Sequence, residues 1–349
     1  MKCVACALAL LAGTAVFATT IADGRALAGR ADRAPVLVDD RDPAGAAVRA
    51  SSAGSVSSSA SACGAVSASV STSGFDIAIT LDDLPWVNRL GPGDSRDQAM
   101  ARVLAALARH HVPATGFVVC GRMDRALLEQ WTKAGLELGN HSLSHPHLDR
   151  IDLETWRQEV CGCDDSLAAI TGRPPRFFRY PFLQTGRTTG RCDSALAVVR
   201  ASGHEVAHVS VDTGEWALVA PYVAALEAGD RTLAGEIGQA YVDHVMAAVR
   251  HYREIAAART GGEIGHVLLL HANALAADHL DALLGAIENE GGRFIPLVAA
   301  LDDPVYRRPD AYAGPIGLSW LYRFPPVVDS LWTWDDDQVR AMQERFPAE

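Results

Sequence analysis

An α/β fold built on a parallel sheet is what this sequence predicts, and three observations predict it. From Phe75 onward, short apolar strands alternate with stretches of helical periodicity. Repeated βα units of this kind imply parallel strands, closed as a barrel or open and doubly wound. Asp82, His141, Arg179, Asp212 and His271 each follow a separate apolar strand. In a barrel, the C-terminal ends of the strands share one mouth, so residues placed there meet.

The elements read in order. Ile77 to Thr80 is a short strand ending at Asp82-Asp83. Asp94 or Ser95 caps a helix through His110, with Met100, Val103, Leu104 and Leu107 at helical spacing. Thr115 to Cys120 is a strand, Leu127, Leu128 and Trp131 mark a helix, and Leu136 to Gly139 leads into His141. A helix over 153–170, the strand Phe177 to Tyr180 and a helix near 194–201 follow. Val206 to Val211 is the next strand, helices cover 220–258, and Val267 to Leu270 is a strand. A helix from His279 to Glu290 and a strand from Phe294 to Val298 complete the repeat.

The 349 residues suffice for one large core with appendages or for two modest domains. A composition of 49% hydrophobic and 21% charged residues is that of a globular protein. The net charge of −11 argues against nucleic acid and anionic lipid as partners, because both require Lys/Arg-rich surfaces. No GxGxxG or P-loop pattern supports a nucleotide site.

At the N-terminus, Met1-Lys2 followed by the apolar run Val4 to Phe17 reads as an export signal over 1–18, with Ala18 at the cleavage site. The expected location is periplasmic or extracellular. Residues 19–73 are rich in Ala, Ser and Gly and read as a flexible linker, too poor in apolar surface to offset the entropy of ordering. No later segment is long and apolar enough for a membrane span. With Cys3 and Cys6 in the signal, Cys63, Cys120, Cys161, Cys163 and Cys192 remain. A bridge from Cys161 or Cys163 to Cys192 suits an oxidising compartment, and the sequence does not choose between the two.

His141-Ser-Leu-Ser-His145 together with Asp82-Asp83 carries the chemistry. Two imidazoles and a carboxylate form the ligand set of a catalytic divalent cation, with a position left open for water and substrate. A second, adjacent carboxylate can act as base. His-x-x-x-His on a short helix would place both rings on one face. Arg179, between aromatics at a strand end, is expected to hold a carboxylate, since buried arginines are paired. His271 suits a general acid. Trp216 reads equally as the wall of a sugar site or as core. The cluster Trp320, Tyr322, Trp332 and Trp334 reads as a groove lining or as a cover for the barrel bottom, the cover being favoured. His147 falls one step outside the cluster, and the pair His110-His111 ends a helix, where a cation suits the dipole.

These residues resemble the polysaccharide deacetylase family (carbohydrate esterase family four, the NodB-type domain) over about residues 75–300. The matching motifs are Thr80-Leu-Asp-Asp83, His141-Ser-Leu-Ser-His145, Arg179-Tyr-Pro181, Asp212 to Trp216 and Leu269-Leu-His271, in that order. The resemblance implies a distorted (β/α) barrel over 74–300, with residues 301–349 as a C-terminal extension packed on it. It implies that Asp83, His141 and His145 bind the metal, zinc first with Co2+, Ni2+ or Mn2+ as alternatives. Asp82 would take a proton from the attacking water, held in place by Arg179. The metal and the Phe182 backbone N–H would stabilise the oxyanion, and His271 would protonate the leaving group.

Leu81 stands where the family has Phe, Phe182 where Tyr is common, and Glu215 where Asp precedes Trp216. The carboxylate supporting His271 is therefore Glu215 or Asp212. The implied activity is hydrolysis of N- or O-linked acetyl groups on a carbohydrate. Amide hydrolysis of a small molecule and metal-retaining carbohydrate binding are the alternatives. No protein partner is evident in the sequence. The segment between Asp212 and Val267 and the tail after Leu301 are expected to shape the substrate groove.

Overall fold

A computed structural model describes residues 74–327 and 333–347. The export signal, the linker, Cys63 and Trp332 lie outside the described residues.

The first half of the chain alternates strand and helix: β1 (Phe75–Leu84), α1 (Arg96–Arg109), β2 (Thr115–Val118), α2 (Arg125–Lys133), β3 (Glu137–Asn140), α3 (Leu153–Thr171), β4 (Phe177–Phe178), α4 (Thr189–Ala201) and β5 (Glu205–Val206). The second half continues with β6 (Val211–Asp212), α5 (Val219–Glu227), α6 (Arg231–Thr260), β7 (Gly265–His271), α7 (Ala274–Asn289), β8 (Gly292–Phe294), α8 (Leu297–Leu301), α9 (Trp320–Arg323) and α10 (Thr333–Arg345). The strands form one curled parallel sheet in the order β5-β4-β3-β2-β1-β7-β6, with β8 also on β1. This is a distorted (β/α) barrel, its seam lying between β5 and β6.

Local chemistry explains the elements. β1 is buried along nearly its whole length, as a central parallel strand covered on both faces must be. Ser95 caps α1 through a capping box with Gln98, and Asp124 and Asp152 cap α2 and α3. α1 buries Met100, Val103 and Leu107, the stripe that its spacing predicts. The core runs from β1 and β2 through α7 and α6, with Leu268, Leu270, Leu280, Leu284, Tyr241 and Val245 fully buried.

Three expectations change. The strand over 206–211 is two strands: Val206 pairs with Phe178, Val211 pairs with Leu268, and residues 207–210 span the seam. That span is satisfied by the C-terminal segment, where Trp320 N–H donates to Val209 O and Ser319 Oγ to Ser210 O. The last strand ends at Phe294, because Pro296 cannot donate to a ladder and instead starts α8. Helices α5 and α6 form the β6–β7 crossover and pack against α7, with His244 Nε2 donating to Thr213 O. Cysteine pairing also differs: Cys163 is bridged to Cys120, just beyond β2. Cys192 lies on α4 with its thiol directed at Gly186 O.

The C-terminal aromatics pack over the seam and α6. Trp320 lies with its ring 3.9 Å from that of His208, tilted against it, and donates its indole N–H to Val305 O. Tyr322 lies beside Tyr252, and Trp334 stacks on His251. None of the described residues forms a helix long and apolar enough to cross a membrane.

Candidate active site

The strand ends bring the predicted residues to one mouth. Asp82 sits at the end of β1 directly across from His271 at the end of β7. His141 follows β3, Arg179 follows β4 and Asp212 ends β6.

Asp83, His141 and His145 offer ligand atoms that all lie within 4.8 Å of one another. Each ligand has a distinct local cause. Asp83 has a left-handed backbone, φ 64°, that turns its carboxylate to the same mouth as Asp82. His141 Nδ1 donates to Arg179 O at 2.8 Å, which leaves the Nε2 lone pair facing the carboxylates. Nε2 of His141 is 4.0 Å from Asp83 Oδ1, and that of His145 is 3.6 Å from it.

The segment 141–147 is not helical. Ser142 and His145 are left-handed, at φ 67° and 60°. Side chains take the amides a helix would use: Asn140 Oδ1 accepts from Ser142 N–H, Ser142 Oγ from His145 N–H, and Glu159 from Ser144 N–H. α3 therefore carries much of the loop, since Asn140 also donates to Asp164 and to Val160 O.

These residues suit a divalent cation. Burial pushes the His141 imidazole down to about 4 and the His145 imidazole to about 3, so both are neutral ligands at neutral pH. Burial opposes ionisation of Asp83, but the adjacent histidines and Arg122 hold its carboxyl below the usual range. Asp83 Oδ1 is buried and accepts no hydrogen bond, an orphaned acceptor that a cation would satisfy.

Asp82 is held differently. Arg179 is 1% exposed and donates Nη1 to Asp82 Oδ1 at 3.0 Å, Nε to Ala207 O and Nη2 to Thr80 Oγ1. Its guanidinium lies 4.3 Å over the Phe117 ring. The other carboxylate oxygen, Oδ2, faces His141 Nε2 at 3.6 Å. Burial raises the Asp82 carboxyl above its ordinary value against the pull of Arg179.

Opposite the histidines, His271 Nδ1 lies 3.1 Å from Glu215 Oε1, which also accepts from His271 N–H. Glu215, not Asp212, is thus the partner of His271. Burial alone would lower the imidazole, yet the Glu215 carboxylate, with help from Asp83 and Asp82, pushes it up to about 10. Asp212 is pushed up to about 6 by burial.

Two exposed aromatics flank this mouth region. Phe182 is 40% exposed, with its ring stacked 3.9 Å from His147 and edge-on to His145. Trp216, 43% exposed, follows Glu215. His110 caps α1 and contacts Glu288 and Asp281, far in sequence from the motif residues.

Residues 69–208 match the family model described as polysaccharide deacetylase. Over that segment the chain is similar to polysaccharide deacetylases. The matched segment contains Asp82, Asp83, His141, His145, Arg179 and Phe182, while Asp212, Glu215, Trp216 and His271 lie beyond it. The chain is 30% identical over 136 residues to a chitooligosaccharide deacetylase of Bradyrhizobium sp., covering 36% of this chain and 59% of the relative. It is 23% identical over 143 residues to a peptidoglycan-N-acetylglucosamine deacetylase of Bacillus cereus, covering 40% and 46%. The chain thus spans about half the length of these curated relatives. Among solved structures, a CE4 family pseudoenzyme from Bacillus anthracis is 18% identical, with 66% of each chain covered and a TM-score of 0.46.

Sequence reasoning missed Glu159, Asn140 and Arg122 as parts of the site. Glu159 carried a readable signal, an acid on the buried face of α3 between Trp156 and Cys163. Arg122, 3.7 Å from Asp83, carried none.

Proposed function

We propose that this chain is a metal-dependent hydrolase that removes acetyl groups from a carbohydrate. The observation that carries the reading is the convergence of Asp83, His141 and His145 within 4.8 Å, beside Asp82–Arg179 and His271–Glu215 at one set of strand ends. A divalent cation held by that triad, Zn2+ first and Co2+, Ni2+ or Mn2+ otherwise, would polarise the acetyl carbonyl and acidify water.

The chain's own residues do the rest. Asp82, oriented through Arg179, accepts the proton of the attacking water at the oxygen not held by Nη1. The Phe182 backbone N–H supplies a donor for the developing oxyanion. His271, kept cationic by Glu215, gives its proton to the departing nitrogen or oxygen. Trp216 offers an apolar face for a sugar ring. Asp212 has no assigned step; its carboxyl lies near enough to His271 to feel its charge.

The names of the relatives favour N-acetylated amino sugars as the substrate class. The Cys120–Cys163 disulfide supports an oxidising compartment, in line with the export reading. Acetate release from N-acetylated oligosaccharides, with and without added Zn2+, tests the proposal. Metal-dependent release supports it. Release only from small amides would favour the amidase alternative, and metal binding with no release from any substrate would favour the binding protein.

A further inference from the structure

The turn bearing Phe182 holds two consecutive non-glycine residues in the left-handed region, Phe182 at φ 55° and Leu183 at φ 51°. Such residues are strained and persist only where the surroundings over-determine them. The surroundings here come from far along the chain, between Asp310 and Arg323 of the C-terminal segment.

Four contacts hold the turn. Gln184, 3% exposed, donates Nε2 to Pro315 O at 2.8 Å and to Asp149 Oδ2 at 2.8 Å. Gly314 N–H donates to Gly186 O at 3.0 Å. Arg323, itself buried, donates to Thr185 Oγ1 at 2.7 Å and pairs with Asp310. Gly317 lies so close that a Cβ there would overlap the Phe182 carbonyl oxygen and the Leu183 backbone. Because those atoms are main chain, the turn itself would have to move.

We propose that the segment 314–317 is a strap that fixes the Phe182–Leu183 turn, with Gly317 and Gln184 as positioning residues that aim the Phe182 amide at the reacting carbonyl. The inference rests on the deacetylase reading above. It assigns the C-terminal segment a part in turnover and not in metal binding, because its contacts are to Gln184, Thr185, Gly186 and the Phe182–Leu183 main chain and not to Asp83, His141 or His145. The metal ligands are carried instead by β1, the loop after β3 and α3.

The test compares Gly317→Ala, Gln184→Met and Gly235→Ala in the full chain. Gly235→Ala is the control, since this exposed position on α6 lies outside the strap and a Cβ there meets nothing within 4 Å. Three quantities are measured: kcat and KM for acetate release, the Zn2+ dissociation constant by titration, and the melting temperature.

Gly317→Ala should lower kcat about 10- to 100-fold, the scale of a displaced oxyanion donor. Its KM and Zn2+ affinity should stay within about twofold, and Gly235→Ala should keep its kcat. Gln184→Met, which adds no bulk, should lower kcat several-fold with the same KM and Zn2+ affinity. It decides the matter if Gly317→Ala does not fold. Full kcat in both Gly317→Ala and Gln184→Met overturns the proposal and leaves the deacetylase reading standing. Parallel loss of kcat, Zn2+ affinity and melting temperature in Gln184→Met also overturns it. A wild-type chain that binds Zn2+ but releases no acetate overturns the deacetylase reading, and the strap's role in turnover with it.

Discussion

Replacing Glu215 with Gln isolates what the buried carboxylate does for His271. The side chain keeps its size and an oxygen able to accept the His271 N–H, but loses its charge. Burial lowers the imidazole, and Glu215 is the largest influence raising it from 6.5 to about 10. Without that charge, burial dominates and the imidazole returns to about 6.5 or below. That is a fall of about 3.5 in pKa, or about 5 kcal/mol at 1.36 kcal/mol per pKa unit.

At about pH 8 the protonated fraction then falls from nearly all to about 3%, so turnover should drop about 30-fold and recover toward about pH 6. The assay is kcat/KM for acetate release across about pH 5.5 to 10 at saturating metal, wild type against variant. In the metal-free protein, the stability His271 gains from its raised pKa is complete below about 6.5. It fades as pH rises through about 10, so the stability gap between the two proteins should close over that range. A basic limb that moves by less than one unit, or a loss uniform across pH, would refute the reasoning.

Asp83→Asn should lose Zn2+ binding by titration, whereas Asp82→Asn should keep it and lose turnover; equal metal loss in both would reverse the assignment. Arg179→Met leaves Asp82 buried without its paired guanidinium and should destabilise the fold by about 3–5 kcal/mol in urea unfolding. The double substitution Cys120→Ala/Cys163→Ala opens a loop with a sequence separation of 43 and should cost about 2–4 kcal/mol. Reductant should lower wild-type stability to the same level, and no response to reductant would mean the bridge is absent.

The motif residues were legible in the sequence because each sits where an apolar strand stops, a local pattern. What defeated sequence reasoning is non-local. The run from Val206 to Val211 reads as one strand, and only Trp320 and Ser319, more than a hundred residues later, show why it breaks over the seam. His-x-x-x-His has helical spacing, yet Asn140, Ser142 and Glu159 take the amides that a helix would need. The choice between Asp212 and Glu215 as the partner of His271 depends on which carboxylate the turn after β6 lifts to the end of β7. Their positions in sequence are equivalent for that purpose. The cysteine pairing was open for the same reason, since the approach of α3 to the end of β2 brings Cys163 to Cys120 and away from Cys192.

The central claim is that Asp83, His141 and His145 hold the cation on which deacetylation depends. Calorimetric titration of the metal-stripped protein with Zn2+, with acetate release from an N-acetylated oligosaccharide measured on the same samples, tests it most directly. The account predicts one equivalent bound, acetate release rising in step with occupancy, and neither in a variant with all three ligands replaced. Acetate release that survives chelation, or one equivalent still bound by the triple variant, would contradict it.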